Sequence, residues 1–536
     1  MKKLITKLLI CTAIFVAIMS CNKDFLDVPL KGRLSTDVFP ADQAVTGCYA
    51  VLLSADKDWS LWGAWPDFLL GNVMSDDAWK GGNSDGDQPD IGKLERFEIL
   101  PSNGNVSSFY SNFYHYIFIF NTTLAGLENS KELNDSVRNK YIGEVKFLRG
   151  YAYMKLMMAY GSKKGNLGLP VIDHPLLQSE AGKIPRSDFN TTWNFIIKDF
   201  QSGEVNLPAK DQYQSKDIGR ATKGASQAMI ARAYMLMGDW ANCELYAKKV
   251  IDSHKYNLEP DFKNVFSKAN KNGQESLFEI CYTIDNYFGI GGWDFSHGSW
   301  WAAAQQPIPN GWGVGAFTND LLSEFKKDQG DPRIVWSFVF GGDVDISSDE
   351  PIVLTFADGL DPDKLHNRKI WDPKYFQMGG QTDHNLMVIR YADVVLMYAE
   401  ATNENNKSDI AKAALNSIRK RARESSFVDP YRTIKGYNFP ANLAVNERVP
   451  DVTTSEKNLL RDAIWHERRV ELAGEDLRFF DLVRQGRAGS VLRAFSVKYN
   501  TLKGKGFVDG KHESFPIPQN EMEGSKGIIL QNPMYN

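Results

Sequence analysis

Three carboxylates recur four residues apart near the C-terminus: Glu467, Glu471 and Glu475. On a helix this spacing places all three on one face, where carboxylates can act as acid and base or hold a metal ion. The same stretch also carries Arg468, Arg469, Arg478 and Arg484. Opposite charges three and four apart relieve the repulsion, and arginine–carboxylate forks can stitch a helix to its neighbour. The favoured reading is a packed, ion-paired helix, with a glycan-degrading enzyme as the alternative. Other catalytic and metal patterns are incomplete. His466-Glu467 lacks the second histidine of a zinc-protease helix, and Gly311, Gly313 and Gly315 follow no convincing strand as a dinucleotide fingerprint would. Asn83, Asp85 and Asp87 begin like a calcium loop but lack its later glycine and glutamate. Structural calcium is a minor expectation, and no other cofactor is expected.

A different kind of chemistry is suggested by residues 287–317, with eight aromatics and seven glycines around a single charged residue, Asp294. Glycine this dense breaks regular elements, and tryptophans in such loops exceed what a connection requires. Flat indoles suit the apolar C–H faces of sugar rings, while amides and acids can hydrogen-bond the hydroxyls. The candidate ligand contacts are Trp312 and Trp300 first, then Trp301, Trp293, Tyr287 and Asn310, with Asp294, Gln305 and Gln306 as polar partners. Trp79, flanked by Ser75-Asp76-Asp77 and Gly81-Gly82-Asn83, is expected as a rim contact together with Asp77. Trp59, Trp62 and Trp65 recur every three residues and read as core.

The elements that must position these residues are mostly helical. Ala41 to Ser54 and Tyr141 to Tyr160 carry helical apolar periodicity; short stretches such as Ile334 to Phe340 suggest strands. Residues 222–254 read as a helix pair turning at Gly238-Asp239-Trp240, with small residues and Tyr234 where the helices cross, as in a tetratricopeptide-like unit. A similar pair fits 388–424, and a looser one 141–160. The irregular spacing points to a helical-repeat scaffold interrupted by long loop-rich insertions. Cys48 and Cys243 fall in helical patterns as core residues. With Cys281 they form no CxxC pair and no disulfide framework.

Of 536 residues, 43% are hydrophobic and 24% charged, ordinary for a folded protein. Lys and Arg number 62 against 66 Asp and Glu, a balance that argues against nucleic acid or an anionic membrane surface as partner. Met1 to Lys7 is basic and Leu8 to Met19 apolar, which fits an export signal over 1–20 better than a membrane span. Ile18-Met19-Ser20-Cys21 resembles a lipoprotein box, making Cys21 the expected lipid-attachment site; residues 21–40 then read as an extended tether. Attachment to the membrane is expected through the lipid alone.

Several blocks taken in order resemble the RagB/SusD family of outer-membrane nutrient-binding lipoproteins. They are CNKDFLDVPLKG after the cysteine, GEVKFLRGYAYMKLMMAYG with Leu169-Pro170-Val171, Ile184-Pro185-Arg186, and GRATKGASQAMIARAYMLMGDW. Further on come Asp331-Pro332-Arg333, IRYADVVLMYAEATNE, ERRVELAGEDLRFFDLVRQGRA and the closing FPIPQNEM. The resemblance implies one compact SusD-like domain over 41–536, mostly α, with the aromatic insertion at about 285–320. It also implies a surface-exposed outer-membrane protein that binds a glycan and delivers it to a SusC-like TonB-dependent transporter, without catalysis. A peptide-binding lid of the same family and a tetratricopeptide-like assembly scaffold are the alternatives. Phe109 stands where family members often carry Trp.

Overall fold

The computed structural model describes residues 39–53, 68–284, 288–290, 293–295, 299–306, 311–347, 351–354, 363–371, 382–440 and 443–535. The expected signal, Cys21, the tether up to residue 38, Trp59, Trp62, Trp65, Tyr287 and Asn310 lie outside them.

The body is a succession of antiparallel helices, each packed on the next. Asn103 caps the Gly104–Asn129 helix, accepting from Asn105 N and Val106 N, and Asn134 caps Asp135–Tyr160 through Val137 N. Phe189–Asn206 packs against Asp135–Tyr160 and then against Lys223–Met237. The tetratricopeptide-like pair forms at the expected place. Lys223–Met237 ends at Gly238, whose φ of 82° is left-handed, and Asp239 caps Trp240–Asp252 by accepting from Asn242 N. Tyr234 and Tyr246 stack across this pair, ring centres 5.8 Å apart. Tyr391–Glu404 and Ser408–Glu424 form the second expected pair, and the first of these helices packs on both Trp240–Asp252 and Lys457–Glu471. Two pairs distant in sequence are thereby stacked as neighbours, with the segment between them extruded as an insertion.

The inner faces bury one large apolar core that includes Phe147, Leu148, Ile196, Phe200, Ala228 and Met397. Cys48 and Cys243 are buried free thiols and Cys281 is an exposed one. Strands are short. Ser276–Ile280 pairs antiparallel with Leu386–Arg390, and Phe338–Phe340 with Leu365–Asn367. The strand-like reading of Ile334 to Phe340 is therefore half right: Arg333–Ser337 is helical and only Phe338–Phe340 is extended. The Asp331 side chain accepts from Arg333 N, and Pro332 holds φ at −62°, which together start a helical turn. Among the described residues no helix is long and apolar enough to cross a membrane.

Candidate functional site

The carboxylate face is built as a helix, Lys457–Glu471, with Glu475 lying beyond its end. Glu467 and Glu471 are fully buried. Their partners, however, are not the arginines beside them in sequence. Arg333 reaches Glu467 at 2.5 Å and Glu471 at 2.9 Å, and Arg419 holds the other Glu467 oxygen at 2.7 Å. Arg390 bonds Glu471 at 2.7 Å and Glu475 at 2.7 Å, Arg421 also holds Glu471, and Lys369 bonds Glu475 at 2.7 Å. Burial alone would raise the Glu471 carboxyl, but Arg421, Arg390 and Arg333 outweigh it and hold it below the ordinary carboxylate range. A carboxylate kept ionised and enclosed by three guanidinium groups is an architectural joint.

The local arginines serve other joints. Arg468 bonds Asp393 at 2.6 Å, and Arg484 bonds Glu400 at 2.7 Å and Asp481 at 2.6 Å. Arg469 reaches Asp77 at 2.8 Å, Asp76 at 2.9 Å, Asp320 at 3.0 Å and Glu324 at 3.2 Å. Arg478 forks onto Asp76 at 2.8 and 3.0 Å. Burial would raise Asp76, but Arg469 and Arg478 outweigh it and hold it low, while burial and the adjacent Asp76 prevail at Asp77 and push it up. Asp77 is 1% exposed, so it is a buried anchor and not the ligand contact expected of it.

Trp79 likewise lies inside, 8% exposed, against Phe495 and Tyr499 at 5.3 and 6.4 Å. Its place on a rim is corrected to a place beneath one. The indole N–H donates to Asp363 at 2.8 Å, and Asn319 donates to the same carboxylate from its backbone N (2.8 Å) and Nδ2 (2.6 Å). The two aromatic regions singled out in the sequence do converge. Trp79 N donates to Ala316 O at 2.7 Å, Gly315 N to Lys80 O at 3.0 Å, and Gly82 N to Gly313 O at 3.0 Å. Gly81 must be glycine here, because a Cβ would stand 1.9 Å from Gly313 O. The end of the aromatic insertion is thus sewn onto segment 78–82.

Within the insertion, Trp293 belongs to a short strand, Trp293–Phe295, and Trp300 and Trp301 open the Trp300–Gln305 helix; these three are described through their backbone. Trp312 is half-buried and packs on the main core. Gln305 and Gln306 are each 2% exposed, and Gln306 donates to Ile370 O at 2.7 Å and Ala302 O at 3.2 Å. Gln306 fastens the insertion, and neither side chain reaches outward to hydroxyls. Phe109 is core, packed on Phe113 and Tyr160 at 4.7 and 6.1 Å. In the calcium-like loop, Lys80 Nζ donates to Ser84 O at 3.0 Å and Gly81 O at 3.3 Å, so the chain supplies its own cation there. Among the described residues no group of three His, Cys, Asp or Glu side chains could hold a metal ion.

Beside this junction lies an open cleft of about 570 Å³ that the sequence reading did not single out. Asn319 and Asp363 line it, so the Trp79 hydrogen bond braces its wall. Phe340 and Tyr437 stack within it, 5.5 Å apart and 16° from parallel, and Lys326 sits 5.3 Å from the Tyr437 ring centre. Gly341, Gly342 and Gly436 keep the lining open. Gly341-Gly342 and the Gly436-Tyr437 pair are the only signals that could have marked it, and they are separated by nearly a hundred residues of chain. Aromatic surface, amides and charges around a volume of this size suit a polar organic ligand with apolar faces.

Residues 274–535 match the SusD family model, and residues 79–235 match the model described as starch-binding associating with outer membrane. A SusD-like protein of Formosa agariphila is 24% identical over 459 residues, 81% of this chain and 79% of that one. A laminarin-binding SusD-like protein has the same fold, with a TM-score of 0.72 at 24% identity over 92% of this chain and 99% of its own. Surface glycan-binding protein A from Bacteroides thetaiotaomicron, in complex with laminarihexaose, gives a TM-score of 0.70 at 22% identity over 92% and 98%. The two family models between them span the helical body, the insertion and the ion-paired C-terminal region, and the chain belongs to the RagB/SusD family.

Proposed function

We propose that this protein is a lipid-anchored outer-membrane protein that captures a glycan at the cell surface and passes it to a SusC-like TonB-dependent transporter, with no bond cleavage. The observation that carries the reading is the junction at which the aromatic insertion is sewn to segment 78–82 beside an open, aromatic-lined cleft. The SusD family membership, a family model named for starch binding and outer-membrane association, and neighbours of this fold that bind laminarin or laminarihexaose support the same reading. Saturation of the Glu467, Glu471 and Glu475 carboxylates supports the absence of acid–base work by that helix.

The ligand class is tested by affinity electrophoresis of the form lacking residues 1–21 through gels containing laminarin, starch or xylan, with a peptide mixture as competitor. Retardation by at least one polysaccharide is expected; displacement by peptides with no retardation overturns the glycan reading. The anchor is tested with Cys21→Ala, which should fold but leave the membrane fraction and lose metabolic fatty-acid label. Retention of that variant after a high-salt wash would refute the anchor. Co-purification of a TonB-dependent transporter with the wild type tests the delivery step.

A further inference from the structure

Of the two stacked rings in the open cleft, Phe340 is 2% exposed and Tyr437 is half-buried, so Tyr437 presents the aromatic surface. Its hydroxyl makes no hydrogen bond among the described residues. The sheet does not hold this ring in place. The short ladder between Val344–Asp345 and Arg432–Thr433 ends at the pair Val344 and Thr433. Beyond it, residues 434–440 make no backbone-to-backbone hydrogen bond among the described residues. The Asp343 side chain takes over where the ladder stops. Its Oδ1 accepts from Lys435 N at 2.7 Å and Gly436 N at 3.0 Å, and its Oδ2 accepts from Phe340 N at 3.0 Å and Arg432 at 2.8 Å. Asp343 N also donates to Phe340 O at 3.1 Å, closing a turn in which Gly342 has a φ of 91°. One fully buried carboxylate therefore fastens the residue that carries one ring to the residue just before the other. Gly436 permits the close approach. A Cβ there would stand 2.3 Å from Phe340 Cβ and 2.8 Å from Gly341 O, although its backbone is not left-handed.

We propose that Tyr437 is the ring on which a sugar of the glycan rests, and that Asp343, clasping Phe340 to Gly436, is its positioning residue. The inference rests on the glycan reading of the cleft. A sugar offers an apolar C–H face to the ring and a hydroxyl to the phenol oxygen, and both contacts need the ring at a fixed height and tilt. Phe340 supplies the backing, 5.5 Å away and 16° from parallel. The clasp sets the separation of the two backbones, because the segment bearing Tyr437 has no ladder of its own. Asp343 does this from inside the protein. Its charge is met by Arg432, which also donates to Phe338 O at 2.6 Å and Val335 O at 2.7 Å. Asp343 thus acts on the ligand only through the ring it places.

The test is affinity electrophoresis of the form lacking residues 1–21 in laminarin, starch and xylan gels, read with whichever polysaccharide retards the wild type. Tyr437→Ala should weaken binding about tenfold or more. Gly436→Ala keeps Asp343, Arg432 and Tyr437 and only forces the two backbones apart; it should cost about tenfold. Asp343→Asn retains one acceptor oxygen, so it can serve only one side of the clasp, with a similar loss. A residue that acts through the ring has nothing to act on once the ring is gone. The double variant Gly436→Ala/Tyr437→Ala should therefore bind as Tyr437→Ala does, whereas a merely structural role would subtract its full factor again. Gly436→Ala and Tyr437→Ala both keep the Asp343–Arg432 pair, so the proposal stays falsifiable if Asp343→Asn does not fold. Wild-type retardation of Tyr437→Ala, of Gly436→Ala or of a folded Asp343→Asn overturns it, as does an additive double variant. Failure of all three polysaccharides to retard the wild type is a separate result, which removes the glycan reading and this inference with it.

Discussion

The C-terminal ion network and the aromatic junction both attract attention as chemistry in the sequence, and the structure separates them by what is left over after folding. In the network, buried carboxylates are enclosed: Glu471 alone is held by Arg333, Arg390 and Arg421. At the junction, buried Trp79 and partly exposed Asp363 are also paired, yet Asp363 borders open volume lined by Phe340 and Tyr437. Buried charge with complete partners fixes architecture, whereas half-buried aromatic surface beside a cleft retains capacity for a ligand. Residue type alone does not distinguish the two; saturation does.

The sharpest way to break this comparison is Glu471→Gln. Removing one side of a buried ion cluster strands the opposing arginines and is expected to cost about 3–5 kcal/mol, seen as a lower denaturant midpoint. Polysaccharide retardation of the folded fraction should be unchanged. A stable variant that has lost a hydrolytic activity present in the wild type would turn the network into a catalytic centre.

The network also carries a pH signature. Burial would lower the His466 imidazole, but Asp328 and Glu324, at 2.8 and 2.6 Å, outweigh it and raise it from 6.5 to about 9. A raised folded-state value stabilises fully below the unfolded value, and the gain fades as pH climbs from about 6.5 to 9. The loss should be on the order of 3 kcal/mol across that window, by unfolding titrations at stepped pH. His466→Gln should remove the difference between the ends of the window; a variant with the same slope as the wild type would exclude His466 as its source.

On the aromatic side the effects are smaller and fall on binding. Trp312→Ala should weaken the glycan about thirtyfold, roughly 2 kcal/mol, if it contributes an anchor. Its melting temperature separates the roles, because loss of a fully buried tryptophan would cost about 3–5 kcal/mol of stability instead. Smallest is Trp79→Phe, which keeps the ring packing on Phe495 and deletes the bond to Asp363, costing about 1 kcal/mol. Looser placement of Asp363 should then appear as a modest fall in glycan affinity; unchanged affinity would detach Trp79 from the cleft.

Much of the helical scaffold was legible in the sequence because its signals are local. Gly238 and Asp239 mark the end of one helix and the start of the next, and small residues mark the crossings. The structural character of Glu467, Glu471 and Glu475 was legible too, but the identity of their partners was not. Arg333 lies 134 residues from Glu467, and Arg390 lies 81 residues from Glu471. The same distance effect misplaced Trp79 and Asp77. Flanking aspartates and glycines look like a solvated rim, yet those aspartates are neutralised by arginines some four hundred residues further along. Gln306 was read by side-chain chemistry alone, which does not tell a hydroxyl of a ligand from a backbone carbonyl of the same chain. The cleft was missed because Phe340 and Tyr437 come from separate segments, and neither has a periodic pattern.

The pairing of Asp76 and Asp77 with Arg469 and Arg478 spans 402 residues in one case and 392 in the other, and this bears on how the protein is made. Until the final stretch of polypeptide has been synthesised, the early carboxylates have no counter-ions, and burying them unaccompanied would be prohibitive. The segment carrying Asp76 and Asp77 is therefore expected to pack last, once Arg469 and Arg478 are available. The last segment to be made would then lock the first. A chain ending at residue 456, before the Lys457–Glu471 helix, should accordingly stay protease-sensitive around residues 68–97, and supplying residues 457–535 in trans should restore resistance there.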